Sequence, residues 1–186
     1  MTAIVLAPNQ ILRSPATAVN LPSSKLSSII DTMRQTLISQ TNPQGVGLAA
    51  NQMGLPYKIF LARWTTKKDE PVHVFINPEI LGHSDELQGD GKKDPLEGCL
   101  SLPKYYGHVK RYKWVKLKYQ ILTTNYQLQT TDSIFDGFPA VVIQHEMDHL
   151  NGKIFVERIL EQKGILYRIT GKKNQDGKEI WERVEI

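Results

Sequence analysis

The sequence predicts an α+β fold, with antiparallel β-sheets and two helices that lie far apart along the chain. Apolar residues recur at helical spacing in residues 25–40 and alternate with polar residues in 114–122. The candidate strands follow one another directly instead of alternating with helices, which disfavours a doubly wound parallel sheet. The 186 residues, 40% hydrophobic and 23% charged, have the size and composition of one globular domain, so we expect 1–186 to form a single domain.

The N-terminal helix is predicted over residues 25–40. Its apolar residues lie on one face and are Leu26, Ile29, Ile30, Met33 and Leu37. Pro22 precedes the helix, and Ser23 or Ser24 is the expected N-cap. The helix must end before Pro43, because the residue preceding a proline avoids helical geometry.

Short strands are predicted for most of the remaining chain. The first two, 57–63 and 72–80, flank a polar loop, and the composition of 88–95 is typical of a further loop. Residues 114–122 indicate a half-buried strand, and the segment that follows is expected to pair back on it. The tail, 164–186, is predicted to be a β-hairpin extension that turns at its Asp-Gly pair.

The second helix is predicted over 139–150 and carries the main chemical signal. His145 and His149 are four residues apart, so they share one helix face. Glu146 is rotated by about 100° from His145, where it can flank a metal without binding it. This H-E-x-x-H pattern supplies two metal ligands and a general base. The alternative, a polar stripe on an ordinary helix, fits poorly with the apolar flanks, because buried charge needs a partner.

A hydrolytic metal usually has three protein ligands and one water molecule. Cys99 is the single cysteine, which excludes an intramolecular disulfide and favours a reducing compartment. As a thiolate it is a good third ligand for zinc or iron(II), although a small buried residue is the alternative. His73, His83 and His108 lack comparable spacing and are interpreted as surface or structural residues.

Composition limits the partners. The formal charge is +4, and residues 98–131 contain lysines and an arginine but no acid. A solvated strand face is favoured over an RNA-binding face, because no nucleic-acid motif accompanies the charge. We expect no membrane span and no secretory signal, and hence a cytoplasmic protein, with a removed organelle presequence left open.

Three segments together resemble the signature motifs of peptide deformylases, in the order of that family. They are GVGLAANQ (45–52), EGCLSLP (97–103) and QHEMDHL (144–150), and the resemblance extends over residues 4–160. Members of that family remove the formyl group from the N-terminal formyl-methionine of new polypeptides and release formate. The resemblance thus implies antiparallel sheets around a central, metal-binding H-E-x-x-H helix.

The resemblance also implies a role for each motif. Cys99, His145 and His149 are expected to bind one divalent metal ion, with water as fourth ligand; the family commonly uses iron(II) and tolerates zinc, nickel or cobalt. Glu146 is expected to be the general base. Gln52 and the backbone N–H of Leu100 are expected to stabilise the oxyanion.

A substrate pocket follows from the same resemblance. It is expected to involve the residues Val46, Gly47, Gly98, Phe138, Val141 and Val142, with plain core packing as the alternative for the valines. Glu97 and Arg111 match a charged pair that supports the cysteine loop, and a surface pair is the alternative. The partner is a formyl-Met peptide or nascent chain. Residues 171–186 carry four basic and four acidic groups, so they do not resemble a basic ribosome-docking helix, and any ribosome proximity would be transient.

Other functions remain to be weighed. An H-E-x-x-H metallopeptidase would cut unformylated peptides, and a non-catalytic domain with a structural metal would need a fourth protein ligand. The run from Gly45 to Ala50, with Glu70 twenty residues later, fits a loose dinucleotide-binding pattern. A helix precedes that run instead of the required strand, which disfavours the dinucleotide interpretation.

Overall fold

The computed structural model describes residues 3–89 and 95–185. The α-helices are α1 (Ser23–Ser39), α2 (Gly137–Leu150) and α3 (Phe155–Glu161), and 3-10 turns cover Gln10–Arg13 and Ala50–Met53. The strands are β1 (Gly47–Ala49), β2 (Ile59–Ala62), β3 (His73–His83), β4 (Leu87–Gln88), β5 (Glu97–Cys99), β6 (Leu102–Gly107), β7 (Arg111–Tyr112), β8 (Trp114–Leu122), β9 (Leu128–Asp136), β10 (Leu166–Lys173) and β11 (Glu179–Val184).

Two antiparallel sheets lie on either side of α2. The larger sheet has the order β1-β2-β3-β8-β9, and the smaller has the order β11-β10-β6-β5; β4 and β7 form a separate ribbon. The predicted α+β class with a central helix is therefore confirmed. The strand β5 ends at Cys99, whose sulfur faces α2 from the smaller sheet.

The larger sheet is covered on both faces, which explains the continuous apolar sequence of β2. Phe60 stacks on Phe75 at a ring-centroid distance of 4.5 Å, and both pack towards α2. The alternate residues Ile59 and Leu61 pack towards α1. Because successive side chains of a strand point to opposite faces, a strand covered by helices on both sides is apolar throughout.

The two predicted helices form, but their ends differ from the prediction. Ser23 lies in the first turn of α1, and Pro22 occupies the N-cap position with no side-chain cap. The helix α2 begins at Gly137, two residues before the predicted start, where a φ of 57° turns the chain out of β9. The short helix α3 was not predicted, because seven residues are too few to establish a helical period.

The predicted strands form with shifted ends. The first covers Ile59–Ala62, and the second extends to His83. Gln88 belongs to β4 and not to the predicted loop 88–95, of which residues 90–94 lie outside the described part of the chain. The strand predicted over 114–122 has these bounds in the structure, and β9 pairs back on it.

The tail forms a hairpin that continues the smaller sheet. Strand β10 pairs with β11 around a turn containing Gly177, and with β6 on its other side. Leu166 and Val184 attach the hairpin to the cluster around α3. The tail is therefore joined, strand by strand, to the segment that carries Cys99.

The basic segment is largely neutralised by neighbouring acids. Lys116 and Lys118 on β8 form ion pairs with Asp132 and Glu79, respectively. This favours the solvated strand face over a nucleic-acid surface. None of the helices within residues 3–89 and 95–185 combines the length and the apolar character that crossing a bilayer requires.

We expect Phe75→Ala to destabilise the protein by about 3–5 kcal/mol, because truncating a buried aromatic side chain leaves a cavity. Phe75 is 1% exposed and lies in the aromatic group behind α2. Urea unfolding would measure the loss, with Ile134→Ala as a control, since Ile134 is 65% exposed on β9. Equal effects of the two substitutions would contradict the packing described here.

Candidate metal centre and active site

The structure brings the three predicted metal ligands together. Cys99 comes from the end of β5, and His145 and His149 come from one face of α2. Their ligand atoms all lie within 4.8 Å of one another, and Cys99 Sγ is 3.2 Å from His149 Nε2. One sulfur and two imidazole nitrogens in a buried cluster form a typical set of ligands for a transition metal.

A carboxylate fixes the orientation of one imidazole. Glu97 Oε2 lies 2.9 Å from His145 Nδ1, and since a carboxylate only accepts hydrogen bonds, the Nδ1–H must donate. This leaves the Nε2 lone pair of His145 available to a metal, as is common for metal-binding histidines. Arg111 donates two hydrogen bonds to Glu97, of 2.8 and 2.9 Å, and a third of 2.6 Å to Asp148. The Glu97–Arg111 pair is buried, so the surface alternative is wrong.

The buried charges shift each other's protonation. Burial by itself would raise the pKa of Glu97, but the Arg111 guanidinium lowers it to about 2. Burial would likewise raise the pKa of Cys99, but the charge of His149 and the hydrogen bonds of both imidazoles lower it to about 5. Burial would lower the pKa of His145, but Cys99 and Glu97 raise it. The cluster therefore stabilises a thiolate, the form of cysteine that binds metals.

Glu146 lies beside this cluster and is almost completely buried. Burial raises the pKa of its carboxyl group to about 7, although the charges of His145 and His149 act in the opposite direction. Within the described part of the chain, no hydrogen-bond partner lies near its Oε2 atom. The carboxyl group can therefore take up or release a proton near neutral pH, as a general base must.

Gln52 is held in a defined orientation at the same site. Its Oε1 accepts a hydrogen bond from the Ala49 N–H at 2.8 Å, and its Nε2 donates to Ser101 Oγ at 3.1 Å. The same nitrogen lies 3.5 Å from Cys99 Sγ. This amide and Leu100, the residue after Cys99, both line the cavity beside the cluster. Their positions suit hydrogen-bond donors to a reacting oxygen.

A cavity of about 210 Å³ opens next to the ligands. Its lining includes every predicted substrate residue, namely Val46, Gly47, Gly98, Phe138, Val141 and Val142. Among these residues, Phe138 remains 41% exposed, so this part of the lining is open to solvent. Strands β1 and β5, each at the edge of its sheet, both contribute residues to the lining of the cavity.

Several residues near the site were not predicted, among them Asn51, Asp148 and Tyr106. The Asn51 side chain donates a hydrogen bond of 2.5 Å to the backbone carbonyl of His149, and Asp148 accepts hydrogen bonds from Arg111 and Arg158. Asn51 and Asp148 both lie inside the signature motifs, so their place in the sequence could have indicated them. Tyr106 also lines the cavity, but no local pattern marks it, because only strand pairing brings it opposite Gly98.

The remaining histidines lie elsewhere. His73 stacks on Trp64, and His83 stacks on Tyr112 at a ring-centroid distance of 3.6 Å. Among the described residues, the metal-ligand group comprises only Cys99 and the two helix histidines.

Known proteins resemble this chain in sequence and in fold. Residues 1–164 match the sequence model of the family described as Polypeptide deformylase. The peptide deformylase of Aquifex aeolicus is 37% identical over 174 residues, which is 92% of this chain and 94% of the relative. The peptide deformylase of Bartonella henselae is 34% identical over 186 residues, which is 99% of this chain and 98% of the relative.

Solved structures of similar fold carry the same name. The peptide deformylase of Thermotoga maritima is similar with a TM-score of 0.73 and 32% identity, over 85% of this chain and 97% of that chain. The actinonin-bound class I type b peptide deformylase of Acinetobacter baumannii is similar with a TM-score of 0.72 and 35% identity, over 86% and 98% of the two chains.

We expect Gly47→Ala to destabilise the protein by about 1–3 kcal/mol, the usual effect of adding an atom to a packed site. A Cβ at Gly47 would collide with the carboxylate of Glu146, which would have to move. Gly82→Ala is the matched control, because a Cβ there meets nothing within 4 Å. Chemical denaturation of both variants would measure the difference, and equal stabilities would show that Glu146 can move freely.

Proposed function

Because this chain belongs to the polypeptide deformylase family, it is a metal-dependent hydrolase that removes the N-terminal formyl group from nascent peptides, and we propose that the reaction takes place at the cluster around Cys99. The observation that carries this proposal is the convergence of three metal-ligating side chains, the buried carboxyl group of Glu146 and the amide of Gln52 on one apolar cavity.

The residues present fit a divalent cation. We propose that Cys99, His145 and His149 bind it, because the structure favours a thiolate, orients one imidazole through Glu97 and leaves a buried oxygen of Glu146 without a partner in the described chain. Iron(II) is the proposed resident ion, and zinc, nickel and cobalt are acceptable to the same ligands. When bound, the cation polarises the formyl carbonyl and lowers the pKa of a water molecule.

The side chains then move one proton in two steps. The Glu146 carboxylate accepts a proton from the water molecule as the water oxygen attacks the formyl carbon. The negative charge that develops on the formyl oxygen is stabilised by the Gln52 amide and the Leu100 backbone N–H. Glu146 returns the proton to the amine nitrogen as the C–N bond breaks, which yields formate and a free amino terminus.

The cavity suits a methionine side chain followed by extended backbone. We propose that Val46, Val141, Val142 and Phe138 surround the methionine, since apolar walls favour a thioether side chain. At Gly47 and Gly98, the absence of a side chain makes room for the Glu146 carboxylate and the Tyr106 ring, respectively, which both line the cavity. A structural metal site would need a fourth protein ligand, and the described residues supply three.

The proposed cellular setting rests on the chemistry of Cys99 and on the surface charge. We propose that the protein acts in the cytoplasm, where the reducing environment keeps Cys99 available as a ligand. Its proximity to ribosomes is proposed to be transient, because the tail is a hairpin of balanced charge and the lysines of β8 are paired with acids.

Formate release from a formyl-Met peptide tests the proposal. Protein purified without oxygen and loaded with iron(II) or nickel should release formate, and chelated protein should not. We expect Glu146→Ala to retain the metal but to lose at least about 10²-fold in kcat, because the proton acceptor is gone. Cys99→Ser is the complementary variant and should lose metal content as well. Substantial turnover by metal-loaded Glu146→Ala, or cleavage of unformylated peptides, would contradict the proposal.

We expect Gln52→Leu to lower kcat by about 10²–10³-fold, as for the loss of one oxyanion donor. The two side chains are similar in size, so the metal content should be unchanged. Steady-state kinetics would separate kcat from KM. Wild-type kcat in this variant would show that the oxyanion is stabilised by other groups.

A further inference from the structure

The smaller sheet extends the wall of the cavity beyond the predicted substrate residues. Tyr106 on β6 lies directly opposite Gly98 on β5, and both line the cavity. A Cβ added at Gly98 would lie 2.5 Å from the Tyr106 ring, so this ring covers the face of the sheet that borders the cavity. In antiparallel strands, paired residues project to the same face.

The C-terminal hairpin extends this same face outward. Tyr106 is paired with Tyr167 on β10, and Tyr167 is paired with Arg183 on β11. Trp181 lies two residues before Arg183 and therefore projects to the same side. The ring of Trp181 lies 5.1 Å from the ring of Tyr106, so the two side chains form one continuous aromatic surface that begins at the cavity.

Trp181 is not needed to attach the hairpin to the protein. The opposite face of the hairpin does this through Leu166, which is 4% exposed, and Val184, which packs on the cluster around Ile159. Trp181 itself remains 43% exposed. Together with Tyr106 it forms contiguous apolar surface beside the cavity, and such surface often marks a binding site.

We propose that Tyr106 and Trp181 form a binding site for the residues that follow formyl-methionine, and that this site favours aromatic or large apolar side chains at the third and fourth positions of the peptide. The proposal rests on the deformylase function above and adds a substrate preference to it. Adjacent strands are about 4.8 Å apart and an extended peptide advances about 3.3 Å per residue. A chain that leaves the cavity over Tyr106 thus reaches Trp181 within two to four residues.

The chemistry of the two rings sets the preference. Stacked or edge-to-face contact between aromatic side chains contributes about 0.5–1.5 kcal/mol beyond the area that it buries. A serine at the same positions would offer neither the area nor the ring. The preference is therefore expected in kcat/KM, chiefly through KM, because these contacts lie away from the reacting bond.

The test compares three substrates on metal-loaded protein: formyl-Met-Ala, formyl-Met-Ala-Ser-Ser and formyl-Met-Ala-Phe-Phe. We expect the wild-type protein to hydrolyse the Phe peptide with a kcat/KM about 3–10-fold above that of the Ser peptide. Trp181→Ala should abolish most of this ratio, and Trp181→Phe should restore it. Ile180→Ala, a change on the other face of the same strand, should leave the ratio unchanged.

The outcomes separate this inference from the proposed function. Wild-type protein that hydrolyses formyl-Met-Ala but treats the Ser and Phe peptides alike overturns the aromatic site and leaves the deformylase function intact. A uniform fall for all three peptides in Trp181→Ala, parallel to its loss of stability in urea, also overturns it, since Trp181 would then have a structural role. Absence of formate from every peptide overturns the proposed function and the inference together.

Discussion

The buried guanidinium of Arg111 joins the two parts of the proposed active site. It binds Glu97 on β5 and Asp148 on α2, and Glu97 in turn orients His145. Arg111 thus fixes the position of β5, which ends at Cys99, relative to α2, which carries both imidazoles. Removing one member of a buried ion network typically costs about 3–5 kcal/mol, because the remaining charges stay desolvated. The proposed metal ligands can therefore be positioned before any metal arrives.

One buried acid, Glu146, is not bound by the Arg111 guanidinium. Glu146 is as deeply buried as Glu97, yet its pKa is raised to about 7 whereas that of Glu97 is lowered to about 2. The two carboxyl groups differ because Arg111 binds only one of them. One acid remains an ionised hydrogen-bond acceptor for His145, and the other is left able to exchange protons. Neighbouring groups with opposite shifts are a common feature of sites that perform acid–base chemistry.

The two sheets contribute differently to the proposed substrate site. The larger sheet, packed between α1 and α2, supplies the rigid edge strand β1 with Gly47. The smaller sheet supplies β5 at one edge and the C-terminal hairpin at the other. A family-wide reaction and a chain-specific preference can therefore coexist in one molecule. The proposed ligands sit on the signature motifs within residues 1–164, and the proposed aromatic surface includes Trp181 beyond them.

The sequence by itself determined the features that depend on neighbouring residues. Helical spacing identified α1 and placed His145 and His149 on one face of α2, and strict alternation identified β8, because backbone geometry repeats within a few residues. Cys99 could be proposed as a ligand from thiolate chemistry and from its motif. The tertiary structure alone decided that Glu97 reaches His145 across 48 residues, and that Tyr106 covers Gly98 and meets Trp181. Such contacts depend on strand register and sheet order, which no local period encodes.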